Sequence, residues 1–258
     1  AAASGCDFVY SGNRAPGEVA SLLKEYLPSC GGERVTFRPV GLKEYSSPHV
    51  FIYDMPSARQ NIIMTFQTVD RLKNPSDMAS LKLFGEYFGG SMYSILFQEM
   101  REFRSFAYTA HGAPVIVTGN LAEAPAAFMS YIGTQSDKTS DVLTVLDSLF
   151  REMPLREENA ETARLTLLNE INNSFPSFRR IGEYVRRCGF EGYSEDPDAA
   201  LVKLLPSMGT SDITSYFDSE IKGRPQVLMI VGNKKNLPMD IIQRWGPVTY
   251  LKKADIYR

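Results

Sequence analysis

Phe88 to Tyr108 reads FGGSMYSILFQEMREFRSFAY. The fold turns on why a glycine pair stands ahead of an apolar helix that closes on Met-Arg-Glu and runs into a tyrosine-bearing segment. Met92, Ile95, Leu96, Met100 and Phe103 recur at helical spacing, with Gln98, Glu99 and Arg101 elsewhere on the wheel. Gly89 and Gly90 free the backbone just before that helix and leave its first amide groups open to an approaching chain. Arg101 lies near the helix end, and Tyr108 follows in the next strand. A reversal at Arg104-Ser105 lets both reach one side. Two readings of the pair stand. A guanidinium and a phenol are both hydrogen-bond donors and suit a developing oxyanion on a carbonyl. Alternatively, Arg101 pairs with Glu99 or Glu102, and Tyr108 is half buried in a sheet.

Upstream of this stretch, HVFIYD (His49 to Asp54) and NIIMTFQTV (Asn61 to Val69) read as strands. In the second, Ile62, Met64 and Phe66 alternate with Ile63, Thr65 and Gln67. Asn-Pro-Ser-Asp then supplies a stop and an N-cap for a helix carrying Met78, Leu81, Phe84, Tyr87 and Phe88. Downstream, SFAYTAHG, APVIVTGN and AAFMSYIG read as three short strands between Gly, Pro and Asn turns. Helical patterns follow: Val142, Val145, Leu146, Leu149 and Phe150; Ala163, Leu167, Leu168 and Ile171; Phe178, Ile181 and Val185. A last one carries Ile213, Tyr216, Phe217 and Ile221, with Gly223 as its stop. Each packs one face. Strands and helices come in blocks rather than strict alternation, which defines an α+β fold: a mostly antiparallel sheet covered by helices.

The two ends of the chain echo one another. FVYSGNRAPGEVASLLKEYLP (Phe8 to Pro28) and VLMIVGNKKNLPMDIIQRWGP (Val227 to Pro247) each run through an apolar strand, a Gly-Asn turn, a basic residue, a Pro and an amphipathic helix. Any two strand-turn-helix units share some of this plan. Taken as a true repeat, the echo makes residues 1–30 the closing strand and helix of a preceding domain. Residues 31–48, rich in Gly, Ser and Pro, are then a linker, and 49–258 a complete domain.

Composition excludes more than it names. The 258 residues are 43% apolar and 22% charged with a formal net charge of -2, the balance of an ordinary globular protein with a packed core. No basic block interleaved with aromatics speaks for nucleic acid. The longest apolar runs, such as Val227 to Val231, are strand-sized, so no membrane span is expected. The opening AAASGC lacks the marks of a secretory signal and leaves the compartment open. Cys6, Cys30 and Cys188, odd in number and widely spaced, read as free thiols. The two histidines, His49 and His111, are far apart and have no His or Cys at ligand spacing, so no metal site is expected in this chain; His111 suits a turn or edge position. Nucleophile elbow, phosphate loop and dinucleotide fingerprint are absent from the sequence, which leaves no complete catalytic centre.

The opening stretch nevertheless resembles a segment of the pitrilysin/insulinase family of zinc metallopeptidases, the inverzincins. There a glycine run, a helix reading roughly S-x-L-F-Q-E-L-R-E and a later A-Y follow one another. The matching residues are Gly89, Gly90, Ser94, Leu96, Phe97, Gln98, Glu99, Arg101, Glu102, Ala107 and Tyr108. Mitochondrial processing peptidases and the cytochrome bc1 core proteins are similar in the same way. The resemblance implies a LuxS/MPP-like domain, one of a set of similar domains that enclose a chamber. It also implies that Arg101 and Tyr108 hold a peptide carbonyl, with Gly89, Gly90 and Ser91 against the substrate backbone. The inverted zinc motif H-x-x-E-H is missing from all 258 residues. The zinc of the complete enzyme is therefore expected on an upstream half or a partner subunit, and the isolated chain is expected to be inactive. A catalytically silent structural or interaction domain, like the respiratory core proteins, is the alternative. One departure stands out: Ser105-Phe106 replaces the family's usual Gly-Leu before Ala-Tyr.

Overall fold

A computed structural model describes residues 8–27, 41–117 and 124–256. Helix α1 (Pro16–Tyr26) starts on a proline in its first turn and buries none of its side chains. Phe8 to Tyr10, expected as a strand, join no strand of the sheet, so the echo holds for the helix and not for the strand ahead of it. Cys6, Cys30 and the linker as far as residue 40 lie outside the described residues. The remaining linker residues form no helix or strand, and Tyr45 rests edge-on against Phe51 at 6.1 Å between ring centroids.

Strands β1 (His49–Asp54) and β2 (Gln60–Leu72) follow. Asn74 then caps α2 (Pro75–Gly85), its Oδ1 accepting the Ser76 and Asp77 amides at 2.9 and 3.0 Å. α2 runs on through a widened π turn, Glu86–Gly90. The short α3 (Ile95–Phe97) continues as a second π turn, Gln98–Glu102. β3 (Ala107–Ile116) and β4 (Ala124–Gln135) come next. The helices α4 (Thr139–Arg151), α5 (Glu157–Asn173), α6 (Ile181–Phe190), α7 (Pro197–Leu204) and α8 (Thr210–Tyr216) form the covering layer. The chain closes with β5 (Val227–Gly232), α9 (Met239–Ile242), β6 (Val248–Leu251) and α10 (Lys253–Ile256).

The six strands lie in the order β3-β4-β2-β5-β1-β6. β3-β4, β4-β2 and β2-β5 pair antiparallel, while β1 pairs parallel with β5 and β6. The α+β architecture, mostly antiparallel and covered by helices, is the one expected. Two of the three predicted short strands are one, because Pro114 sits in an edge strand where its missing N–H costs no ladder bond.

The core lies between the sheet and the helices. Val50, Ile52, Ile63, Phe128, Ile132, Leu228 and Ile230 meet Leu81, Phe84, Phe88, Val142, Leu146, Ile213 and Phe217. β2 turns its mixed face inward: Asn61, Ile63, Thr65 and Gln67 are buried, and Ile62, Met64 and Phe66 face the open side half-buried. The buried amides of Asn61 and Gln67 are partnered through their nitrogens, while their oxygens have no hydrogen-bond partner among the described residues. Asn61 Nδ2 donates to Thr139 Oγ1 at 2.7 Å, and Gln67 Nε2 donates to the Ile221 carbonyl. Gly223 ends the α8 segment at φ +74°, as its stop role requires. α6 corrects the expectation of packing: it forms, but Phe178, Ile181 and Val185 are exposed, and of its side chains Cys188, a free thiol, is the buried one.

Candidate functional site

The glycine pair closes one helix instead of opening the next. Gly89 is buried in the π turn that ends α2, where a Cβ would overlap the Gly112 backbone of β3. Gly85, one turn earlier, faces Pro114, whose Cδ would stand 2.7 Å from an added Cβ. Bare backbone at these positions lets the helix lie directly on the edge strand. α3 starts later, at Ser94, whose Oγ accepts the Phe97 amide. Ile95, Leu96 and Met100 are buried as expected, but Met92 and Phe103, assigned to the same face, are 66% and 61% exposed. The late start and the π turn, with Phe103 N–H reaching back to the Gln98 carbonyl at 2.9 Å, rotate the ends of the segment away from the core.

That rotation buries Glu99, which the helical wheel had left on the polar side. Its carboxylate takes ion pairs from Arg104 and from Arg156, at the N-terminal end of α5. Arg156 also donates to Gln98 Oε1 at 2.6 Å. The Tyr87 hydroxyl donates to the Pro154 carbonyl at 2.8 Å and accepts the Arg156 amide at 2.9 Å. Burial pushes the Tyr87 phenol above its usual range, with the nearby Arg156 opposing. The platform under Arg101 is thus tied to the α4–α5 connection. In sequence, its one signal was a Glu with an Arg five residues on.

The reversal at Arg104-Ser105 is observed. Ser105 N–H donates to the Arg101 carbonyl at 3.0 Å and Phe106 N–H to the Met100 carbonyl at 2.8 Å. Ser105 has φ +52°, so a serine is held in the left-handed conformation that glycine adopts without strain. Thr134 Oγ1 then anchors the Phe106 carbonyl at 2.6 Å. In the β3–β4 ladder Ala107 pairs with Thr134 and Thr109 with Gly133, which leaves Tyr108 as the extra residue of a β-bulge. The bulge places two consecutive side chains, Tyr108 and Thr109, toward solvent.

Arg101 and Tyr108 come together. The guanidinium carbon lies 4.9 Å from the Tyr108 ring centroid and 4.9 Å from that of Phe97. Tyr108 is 78% exposed, and its hydroxyl makes no hydrogen bond among the described residues. Arg101 Nε stands 3.6 Å from Glu102 Oε1, and Glu99 is not its partner. Of the other expected site residues, Gly89 is buried, Gly90 is exposed and Ser91 is partly so. Gly89 and Gly90 line a groove of about 630 Å³ together with Glu86, His111, Gly112 and Glu170. Burial raises the Glu86 carboxyl above the usual range; the Ser91 hydroxyl counters this and the Glu170 charge adds to it.

Among the described residues the two histidines are not placed to share a metal ion. His49 bonds Thr249 Oγ1 at 2.9 Å, and His111 stacks on Tyr131 at 5.1 Å. Their strands stand four places apart in the sheet, about 19 Å at the usual strand spacing. Among the described residues no three His, Cys, Asp or Glu side chains cluster as metal ligands would.

A half-covered sheet thus carries a helix seated on its edge strand and an arginine-tyrosine pair beside the start of that strand. The chain belongs to the peptidase M16 inactive domain family, whose profile matches residues 2–160. Among solved structures it is similar to a peptidase M16 inactive domain from Pseudomonas fluorescens, at 17% identity and a TM-score of 0.61, over 84% of this chain and 50% of that one. A conserved protein from Enterococcus faecalis matches at 13% identity and 0.65, over 86% and 50%. The periplasmic protease PqqL from Escherichia coli matches at 14% and 0.59, over 86% and 25%. The chain therefore spans half or less of the length of these structures. No curated protein matches it.

Proposed function

We propose that this chain is the substrate-contacting, non-zinc part of a zinc-dependent peptidase whose metal is carried by an upstream half or a partner subunit. In this reading residues 1–30 belong to a preceding domain, 31–48 form a linker and 49–258 are the complete unit. Arg101 and Tyr108 donate hydrogen bonds to the oxygen of the peptide carbonyl under attack, and the attacking water would be supplied by the metal-bearing part of the assembly. The observation that carries it is the Arg101–Tyr108 pair itself: adjacent, solvent-facing, and with a phenol free to donate. Burial of Arg101 and Tyr108, or their separation on opposite faces, would have removed the basis for it. The domain family supports the pairing with another half.

One observation favours the structural alternative. Glu102 already stands near Arg101, so the guanidinium charge is balanced without a substrate. The upstream reading frame separates the two, since H-x-x-E-H there speaks for the enzyme. The direct test is kinetic. In the complete assembly, Arg101→Ala or Tyr108→Phe is expected to lower kcat/KM by about 2–4 kcal/mol in barrier terms, as for lost oxyanion donors. Unchanged kinetics in both variants would leave the scaffold reading in place. Peptide hydrolysis by the isolated chain with added zinc would refute the division of labour.

A further inference from the structure

The groove beside Gly90 holds a carboxylate that the fold leaves half-used. Glu86 is 9% exposed, yet its Oε1 is buried without a hydrogen-bond partner. A buried charged oxygen left unpaired forfeits its hydration with nothing in return. The groove's own cation does not relieve it: Lys82 Nζ pairs with Asp198 at 3.7 Å. Glu170 adds a second carboxylate to the lining and forms no ion pair among the described residues. His111 is the remaining titratable group on the wall, and it is occupied with Tyr131.

The rest of the wall suits a long aliphatic stem. Gly85, Gly89, Gly90 and Gly112 contribute no side chains, and Leu167 and Ile171 offer apolar surface. A groove whose lining joins apolar surface to the Glu86 and Glu170 carboxylates is complementary to lysine or arginine, which lay their methylenes on apolar surface and keep the head solvated or paired. We propose that this groove binds the guanidinium or ammonium head of a basic side chain of a peptide, with Glu86 Oε1 and the Glu170 carboxylate as acceptors. That the ligand is a peptide rests on the function proposed above; the preference for a cation stands on the groove alone. The upward shift of the Glu86 carboxyl, chiefly through burial, is consistent, because an adjacent cation would oppose it. Tyr108 and Gly112 are four residues apart on β3, about 13 Å of extended chain. A peptide lying along this edge would thus carry its basic residue about four positions from the carbonyl held by Arg101 and Tyr108.

The test is calorimetric titration of the full chain with two blocked undecapeptides that differ only in a central arginine or its neutral isostere citrulline. The arginine peptide is expected to bind about tenfold tighter. Glu86→Gln is expected to bring the ratio near one. Glu170→Gln, at an exposed position that folding does not depend on, is expected to lower it about threefold. Equal affinity for the two peptides overturns the proposal, as does a ratio that survives Glu170→Gln and any folded Glu86 variant. Binding of arginine amide as tightly as the peptide overturns the peptide assignment. Arg101→Ala separates the two ideas: it is expected to weaken both peptides and leave their ratio intact. A ratio lost in Glu86→Gln with no effect of Arg101→Ala would sink the carbonyl role and keep the groove.

Discussion

The Arg101 guanidinium carbon rests 4.9 Å from the centroid of the Tyr108 ring, although a helix end, a left-handed serine and a β-bulge separate the two in sequence. Each exposed cation–π contact stabilises by about 0.5–1 kcal/mol. With Phe97 also in reach, the otherwise flexible arginine is held by two rings before any ligand arrives. The arrangement orders a donor at the surface.

The stack predicts that Arg101 and Lys are not equivalent here. In the complete assembly Arg101→Lys keeps the charge but loses the flat, forked head, and kcat/KM is expected to fall by about 1–3 kcal/mol in barrier terms. Steady-state kinetics at constant ionic strength reads this out; wild-type values for the lysine variant would reduce the role of Arg101 to simple charge.

Ser105 at φ +52° is conformationally strained where glycine would not be. Ser105→Gly is expected to stabilise the chain by about 0.5–1 kcal/mol after the entropy of the unfolded glycine is subtracted. That corresponds to an unfolding midpoint higher by about 1–3 °C. A lower midpoint would mean that the serine side chain contributes something the backbone geometry does not explain.

Glu99 pairs with two arginines at once. Glu99→Gln leaves Arg104 and Arg156 competing for a neutral amide beneath the Arg101 turn. The expected cost is about 1–2 kcal/mol in urea unfolding, since the charge-assisted bonds to Glu99 are weakened while the partly exposed arginines keep some hydration. Arg104→Ala, which leaves the Arg156 pair in place, is expected to cost less.

Gly89 and Gly133 make a matched pair of alanine tests. A Cβ at Gly89 would overlap the Gly112 backbone, while one at Gly133 meets Thr109 Cβ at an ordinary 3.8 Å. Gly89→Ala is expected to destabilise by about 2–3 kcal/mol, as overpacking does, and Gly133→Ala by much less. Equal midpoints for both would mean that the helix seats less tightly on β3 than the geometry requires.

Glu86 gives the chain a pH signature. Its carboxyl titrates above the usual range in the folded state, chiefly through burial, so the folded chain holds this proton more tightly than the unfolded one. Below the unfolded value both states are protonated and nothing is lost; as pH rises through the folded value, stability falls. Glu86→Gln removes that loss. Its unfolding midpoint is expected to exceed the wild type at pH 7 and converge with it near pH 4.

Much of the scaffold was legible in the residues. The Asn74 cap, the inward faces of α4 and α8, the stop at Gly223 and the reversal at Arg104-Ser105 all follow from spacing and local backbone preference. The motif also marked Arg101 and Tyr108 as residues to watch. Local pattern did not reveal the strand that never formed at Phe8 to Tyr10, the open apolar side of α6, or the inward turn of Asn61, Thr65 and Gln67. Periodicity states which side chains share a face; what packs there decides whether that face is the core.

Within the site the division is sharper. Residue identity alone settles which groups are present: a guanidinium, a phenol, a glycine pair, and no second histidine near either of the two. Packing makes Tyr108 the unpaired residue of a bulge, buries Glu99 between two arginines and encloses Glu86 with one oxygen idle. The reason is that each depends on a second segment: a bulge exists only against the register of β4, and burial only against the elements packed around it.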